Sequence, residues 1–146
     1  MTSRYDAPGL LARTGNNLIR RLAEAGVSIA GTTALRVRGR RTGQTRTVVV
    51  NLMSVGGRDF LVSPRGETQW VRNARAAGEV ETGTRRRSST RRLTEVPDEA
   101  KPALLRNYLA RWYWEVKGHM AGLTPQSSDV ELRATAPSIP IFELLD

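Results

Sequence analysis

The sequence predicts a mainly-β fold, a small antiparallel barrel with helices attached. Three observations carry this. Apolar residues alternate with arginines through Leu35-Arg36-Val37-Arg38, and a β-branched run follows from Arg46 to Met53. Glycine-bearing turns at Thr42-Gly43-Gln44 and Gly56-Gly57 separate such segments at hairpin spacing. The length of 146 residues sits in the ~100–200 range of one domain and allows a real core. Residues 1–146 are therefore read as a single domain, with 1–30 an amphipathic helical segment within it.

Taken in order, Gly9 to Val27 reads as a helix in which Leu11, Leu18, Leu22 and Ala25 form one stripe and Gly26 is the stop. Such a helix covers one end of a barrel. Its Arg-flanked stripe also suits an anionic lipid surface, so peripheral membrane contact through 9–27 is a second role. Leu35 to Met53 forms a hairpin, and Phe60-Leu61-Val62 a third strand ending at Pro64. Glu67 to Ala77 is a short helix closed by Gly78. Val80 to Thr84 and Arg91 to Val96 are two more strands around the loop Arg85–Thr90. Pro97-Asp98-Glu99 opens a long helix to about Val116, with Asp98 able to cap it and Leu104, Leu105, Tyr108, Leu109, Trp112 and Tyr113 along it. Gly118 to Asp129 reads as loop, then Val130 to Ala134 and Ile139 to Leu144 as extended chain.

Composition narrows the chemistry. There are 23 Lys+Arg against 14 Asp+Glu, a net charge of +9, and only Lys101 and Lys117 are lysines. Residues 1–92 hold 18 Arg against six acids, a net +12, whereas residues 93–146 hold five bases against eight acids, a net −3. An anion-facing surface therefore comes from the first two thirds, unless the arginines are merely a solvated face. The absence of cysteine excludes disulfides, thiolate zinc sites, Fe–S clusters and a cysteine nucleophile, and a single histidine excludes a His-rich metal site. No metal is expected. No apolar run reaches the ~18 residues of a spanning helix, and residues 1–6 lack a signal-peptide pattern, so the cytoplasm is the expected compartment, with membrane association through 9–27 as the variant.

Two segments carry candidate chemistry. In Gly39-Arg40-Arg41-Thr42-Gly43-Gln44-Thr45-Arg46, two glycines allow a tight turn whose amides could face an anion, while Arg41 and Arg46 flank it and could converge on one phosphate or carboxylate. It is neither a P-loop nor a dinucleotide fingerprint. In Ser63-Pro64-Arg65-Gly66-Glu67-Thr68-Gln69-Trp70-Val71-Arg72-Asn73, a strand end turns into a helix start, where free amides and the dipole attract anions. Trp70 and Asn73 share a helical face there; Trp70 also suits a core anchor, and Arg65 and Arg72 are the better ligand contacts.

Together these segments resemble the deazaflavin-dependent nitroreductases, the F420H2-dependent quinone and enone reductases of actinobacteria. The likeness lies in the turn Gly39–Arg46, the strand Thr47–Leu52, Gly56-Gly57, Trp70-Val71-Arg72-Asn73, Glu79-Val80-Glu81 and the ending Ser138–Phe142. It covers Thr32–Thr82 well and the rest loosely. The resemblance implies a split β-barrel of the FMN-binding type that holds coenzyme F420, a deazaflavin with a phosphate and an oligoglutamate tail. On it, Arg41 and Arg46 bind phosphate and tail, Arg40 and Arg65 support them, and Thr42, Gly43 and Gly66 complete the cofactor-binding set. The backbone of Val48, Val49, Val50 and Asn51 lies along the ring, with Ser63 close to it and Trp70 and Asn73 at its wall. Two departures stand out. Arg41 replaces a frequent lysine, and Asn51 stands near where members active on nitroimidazoles carry an aromatic.

The implied reaction is hydride transfer from the reduced deazaflavin to an electron-poor quinone, enone or nitro compound, chemistry that the cofactor performs and the protein orients. Protonation of the product falls to solvent or to a hydroxyl such as Tyr113, and His119 is left out of the site. FMN is the weaker cofactor candidate: with one phosphate and no tail it gives less reason for the arginine excess of an FMN-dependent oxidoreductase. A nucleic-acid-binding module would use the +12 segment with Arg85-Arg86-Arg87 and Arg91-Arg92, but Trp112, Tyr113 and Trp114 sit in one late helix instead of among basic strands. That reading ranks lower. The partner expected is a small-molecule electron acceptor, with monomer and dimer both open.

Overall fold

The computed structural model describes residues 32–83, 88–116 and 118–145. The helix expected over Gly9–Val27 and the cluster Arg85-Arg86-Arg87 lie outside them. Six strands are present: β1 (Thr32–Arg38), β2 (Thr45–Val55), β3 (Arg58–Val62), β4 (Glu79–Gly83), β5 (Ser88–Glu95) and β6 (Ile141–Leu145). They close into one barrel in the order β1-β2-β3-β6-β5-β4, every pair antiparallel. Three helices join it: α1 (Gln69–Ala77), α2 (Lys101–Val116) and α3 (Asp129–Thr135). No helix among the described residues is long and apolar enough to cross a membrane.

The period-two pattern divides β2, β3 and β6 between two cores, while β1, β4 and β5 contribute to one of them. Leu35, Val37, Val50, Leu61, Val80 and Leu144, from five strands, meet in the lumen. Val48, Leu52 and Leu93 pack on that cluster, as do Trp70 and Ala74 of α1. Residues of the opposite parity, Met53, Phe60, Val62 and Ile141, form a second core under Leu105, Tyr108, Leu109 and Trp112 of α2 and Leu132 of α3. Register makes this division obligatory, because a one-residue slip would exchange the faces. Leu35 stands opposite Val48 and Leu61 opposite Phe142.

Three local expectations need correction. Val130 to Ala134 is helical, within α3, and not extended. Ser128 supplies a capping box: its Oγ accepts from the Glu131 N–H at 3.2 Å, and its own N–H donates to Glu131 Oε1 at 2.9 Å. That nucleus outweighs the apparent alternation of Val130, Leu132 and Ala134. Ser88–Thr90 belong to β5 and not to a loop, since Thr82 pairs with Ser89 and Gly83 with Ser88. Asp98 does not cap the long helix. A 3-10 turn over Asp98–Ala100 precedes α2, and the Asp98 carboxylate meets Lys101 Nζ at 2.9 Å. Lys101 is buried, and its Nζ also donates to the Ala136 carbonyl at 3.1 Å, tying α2 to the end of α3. Within α2, Trp112 leaves helical geometry at φ −127°, ψ 16°.

Candidate functional site: an arginine-rimmed turn beside a short helix

The turn between β1 and β2 consumes most of its own amides. The Gly39 N–H donates to the Gln44 carbonyl at 2.8 Å and the Gly43 N–H to the Gly39 carbonyl at 3.0 Å. The Gln44 N–H donates to Thr42 Oγ1 at 3.2 Å. The two glycine amides expected to face an anion are thus spent inside the turn. What the glycines provide is shape. Gly43 takes a left-handed φ of 75°, and a Cβ on Gly39 would come within 3.1 Å of both Gln44 O and Thr42 Oγ1.

The charge of this region lies on side chains, and the arginines separate into two groups. Arg36, Arg58, Arg75, Arg91 and Arg106 each pair with a carboxylate: Glu81, Glu143, Glu67 with Glu95, Asp59 and Asp129 respectively. Arg38, Arg41, Arg46 and Arg72 form no ion pair among the described residues. Arg38 ends β1, Arg41 is in the turn, Arg46 starts β2 and Arg72 lies on α1, and all four are exposed. Arg133, likewise without an acid, sits in the last turn of α3, where a cation offsets the helix dipole. Beside the turn a cleft of about 280 Å³ opens between Arg38, Gly39, Arg40 and Gly43 on one side and Ala76 and Ala77 on the other.

Arg40 behaves differently from its neighbours. Its backbone N–H and its Nη1 both donate to Asn73 Oδ1, at 3.1 and 2.7 Å, and Nη1 also reaches Gln69 Oε1 at 3.0 Å. Asn73, expected at the cofactor wall, therefore has its side-chain oxygen committed to Arg40. Gln69 escaped the sequence reading, although its spacing of four from Asn73 places both on one face of α1.

The segment before α1 is equally constrained. Ser63 is buried, and its hydroxyl donates to the Gly66 carbonyl at 2.7 Å while its N–H donates to the Pro140 carbonyl at 2.9 Å. Gly66 is buried with φ 88°, and Arg65 is half-buried. At the helix start Thr68 is the N-cap, its Oγ1 accepting from the Val71 N–H. Trp70 is half-buried, its ring 6.1 Å from that of Phe142.

On β2, Val48 and Val50 face the lumen cluster, and Val49 is half-buried. Asn51 turns the other way, toward α2. Its Nδ2 donates to the Tyr108 hydroxyl at 3.3 Å and to Glu115 Oε2 at 3.4 Å. A carboxylate only accepts, so the amide nitrogen has to face Glu115. Burial pushes the Tyr108 phenol up to about 12; the hydrogen bond from Asn51 opposes this and the Glu115 charge adds to it. Tyr108 is thus neutral at ordinary pH. Tyr113 instead lies edge-on to Trp114, ring centroids 5.5 Å apart. Tyr108 and Glu115 were missed as neighbours of Asn51, because 57 and 64 residues of chain separate them from it.

These residues fit a ligand with an anionic tail. Arg38, Arg41 and Arg46 beside the turn are exposed and have no acid partner among the described residues, and the cleft combines two arginines, Arg38 and Arg40, with glycines and alanines.

Known proteins agree with this architecture. A search of curated proteins returned no match. Among solved structures, 32 chains match. One described as a domain-swapped dimer is 15% identical, with a TM-score of 0.54 over 92% of this chain and 96% of that one. A protein of unknown function from Agrobacterium tumefaciens is 17% identical, with a TM-score of 0.56 over 94% of this chain and 58% of that one. An F420-H2 dependent reductase, FDR-A, is 16% identical, with a TM-score of 0.52 over 78% of this chain and 93% of that one. At these identities the likeness establishes the split-barrel fold. The sequence model of the F420H(2)-dependent quinone reductases matches residues 11–119, three quarters of the chain and including the basic turn and α1, and the chain accordingly belongs to that family.

Proposed function

We propose that this chain is an F420H2-dependent reductase that moves a hydride to a quinone, an enone or another electron-poor small molecule. The observation that carries it is the set of arginines without an acid partner among the described residues, Arg38, Arg41, Arg46 and Arg72, at one turn and one helix in a chain of this family. Coenzyme F420, when bound, supplies a hydride from its reduced deazaflavin ring. Arg41 and Arg46 would hold its phosphate and tail by forked, charge-assisted bonds. The backbone of Val48 to Asn51 would lie along the ring, and Trp70 would form part of its wall. Ser63, whose proton is given to Gly66, can only accept a further hydrogen bond there. Asn51 presents an amide held by Tyr108 and Glu115 and not an aromatic face, which favours quinone or enone reduction over nitroimidazole reduction.

The test is a titration of the purified protein with F420, followed by deazaflavin fluorescence. Micromolar or tighter quenching is expected, with no comparable binding of FMN. Unchanged deazaflavin fluorescence together with FMN binding would replace this reading by a flavin-dependent one. Turnover of a quinone, an enone and a nitroimidazole with F420H2 then ranks the acceptors.

A further inference from the structure

Arg40 lies in the basic β1–β2 turn, yet it is joined to two neutral amides. We propose that Arg40 is a positioning residue, a clamp that sets the turn against α1 and so fixes where Arg41 stands, while leaving its own positive charge unneutralised. The proposal rests on the F420 reading for the anion that the turn serves.

Three contacts define the clamp. Asn73, only 6% exposed, accepts on one oxygen from both the main chain and the guanidinium of Arg40, at 3.1 and 2.7 Å. Gln69 Oε1, one helical turn earlier, accepts from the same Nη1 at 3.0 Å. The main-chain contact matters most for position, because it fixes the path of the backbone at the residue before Arg41. With the Gly39 and Gly43 amides spent inside the turn, the tip at Arg41 and Thr42 has little freedom left. The choice of amides matters for charge. Arg75, held on the same helix by Glu67 and Glu95, has its charge cancelled by carboxylates. Arg40, held by Gln69 and Asn73, contributes a full positive charge to the field that a polyanion meets.

These two roles separate by substitution. Asn73→Ala removes both contacts to Arg40 but leaves its charge, and should weaken F420 binding by about tenfold; Arg40→Ala keeps the main-chain contact to Asn73 but loses the charge and the guanidinium bonds, and should weaken it by roughly fivefold. Asn73→Asp keeps the acceptor and the shape but neutralises Arg40. It should retain or raise the melting temperature while weakening F420 by roughly fivefold, a deficit that disappears at high salt. A purely structural role predicts no loss for Asn73→Asp. An Asn73→Ala protein that binds F420 like wild type, or an Asn73→Asp protein that does so at low salt, would overturn the proposal. The geometry has a ligand-independent readout in hydrogen exchange of the Arg40 amide: slow in wild type, fast in Asn73→Ala. A wild-type chain that ignores F420 sinks the functional reading instead, and an Arg40 amide equally fast in both proteins sinks the clamp.

Discussion

At the β1–β2 turn and on α1, Arg38, Arg41, Arg46 and Arg72 meet no carboxylate among the described residues, Arg75 being the paired exception on that helix, whereas on the barrel's β3–β6 side and at the junction of α2 with α3, Arg58, Arg91 and Arg106 each meet one. Arg58 makes a two-pronged bond to Glu143 at 2.6 and 2.7 Å, and Arg106 joins Asp129 while also donating to the Ser127 carbonyl. The second region spends its charge on its own chain. The first keeps it available. Exposed ion pairs contribute little to stability, so the fold of the second region rests on its apolar core and not on its arginines. What differs between the regions is therefore the destination of the charge.

Removing that available charge should separate the regions most sharply. Arg41→Ala with Arg46→Ala deletes two charge-assisted contacts of ~1.5–3 kcal/mol each, so F420 affinity should fall by roughly a hundredfold or more in titration. Thermal unfolding should barely move. Arg58→Ala is the matched control on the other side, with binding unchanged. The converse experiment empties the helix-covered core. Leu105 is fully buried, and Leu105→Ala should cost about 2–5 kcal/mol in denaturant unfolding, while the folded fraction binds cofactor as before.

A smaller effect is expected at Lys101. Lys101→Ala removes a charged donor from the Ala136 carbonyl, which keeps the Ile139 N–H, and takes the ammonium from Asp98, at about 1.5–3 kcal/mol of stability, again with no change in binding. Subtlest is a pH effect at Tyr108. Its pKa in the fold is about 12 against an ordinary 10.0, so the neutral phenol contributes stability that is complete below pH 10 and is lost as pH rises from 10 through 12. Tyr108→Phe should flatten that alkaline limb of the unfolding profile. An unaltered limb would mean that the phenol titrates normally, and that burial does not desolvate it.

Much of the barrel was legible because strand alternation and turn glycines are local signals. The hairpin from Leu35 to Met53 and the stop at Gly78, with its left-handed φ of 75°, follow from residue type alone. The segment after residue 128 was misread for a physical reason. Five residues of alternation resemble a short strand, and only the Ser128–Glu131 capping box, itself present in the sequence, distinguishes the helix. At the site, sequence identified the basic turn and the Trp70–Asn73 helix as the segments of interest. It did not reveal that Arg40 and Asn73 are joined to each other, nor that Tyr108 and Glu115 reach Asn51.

By itself, then, the amino-acid sequence determined the β-rich class, the surplus of arginine in the first two thirds and the two motifs that carry the family. Each depends on composition, on periodicity or on residues close in the chain. Only the tertiary structure decided which arginines remain without an acid partner. Pairing with Glu67, Glu81, Glu143, Asp59 or Asp129 depends on strand register and helix docking, which bring together groups 8 to 85 residues apart. A charge count is additive along the chain, but neutralisation is a contact, and contacts are made by the fold.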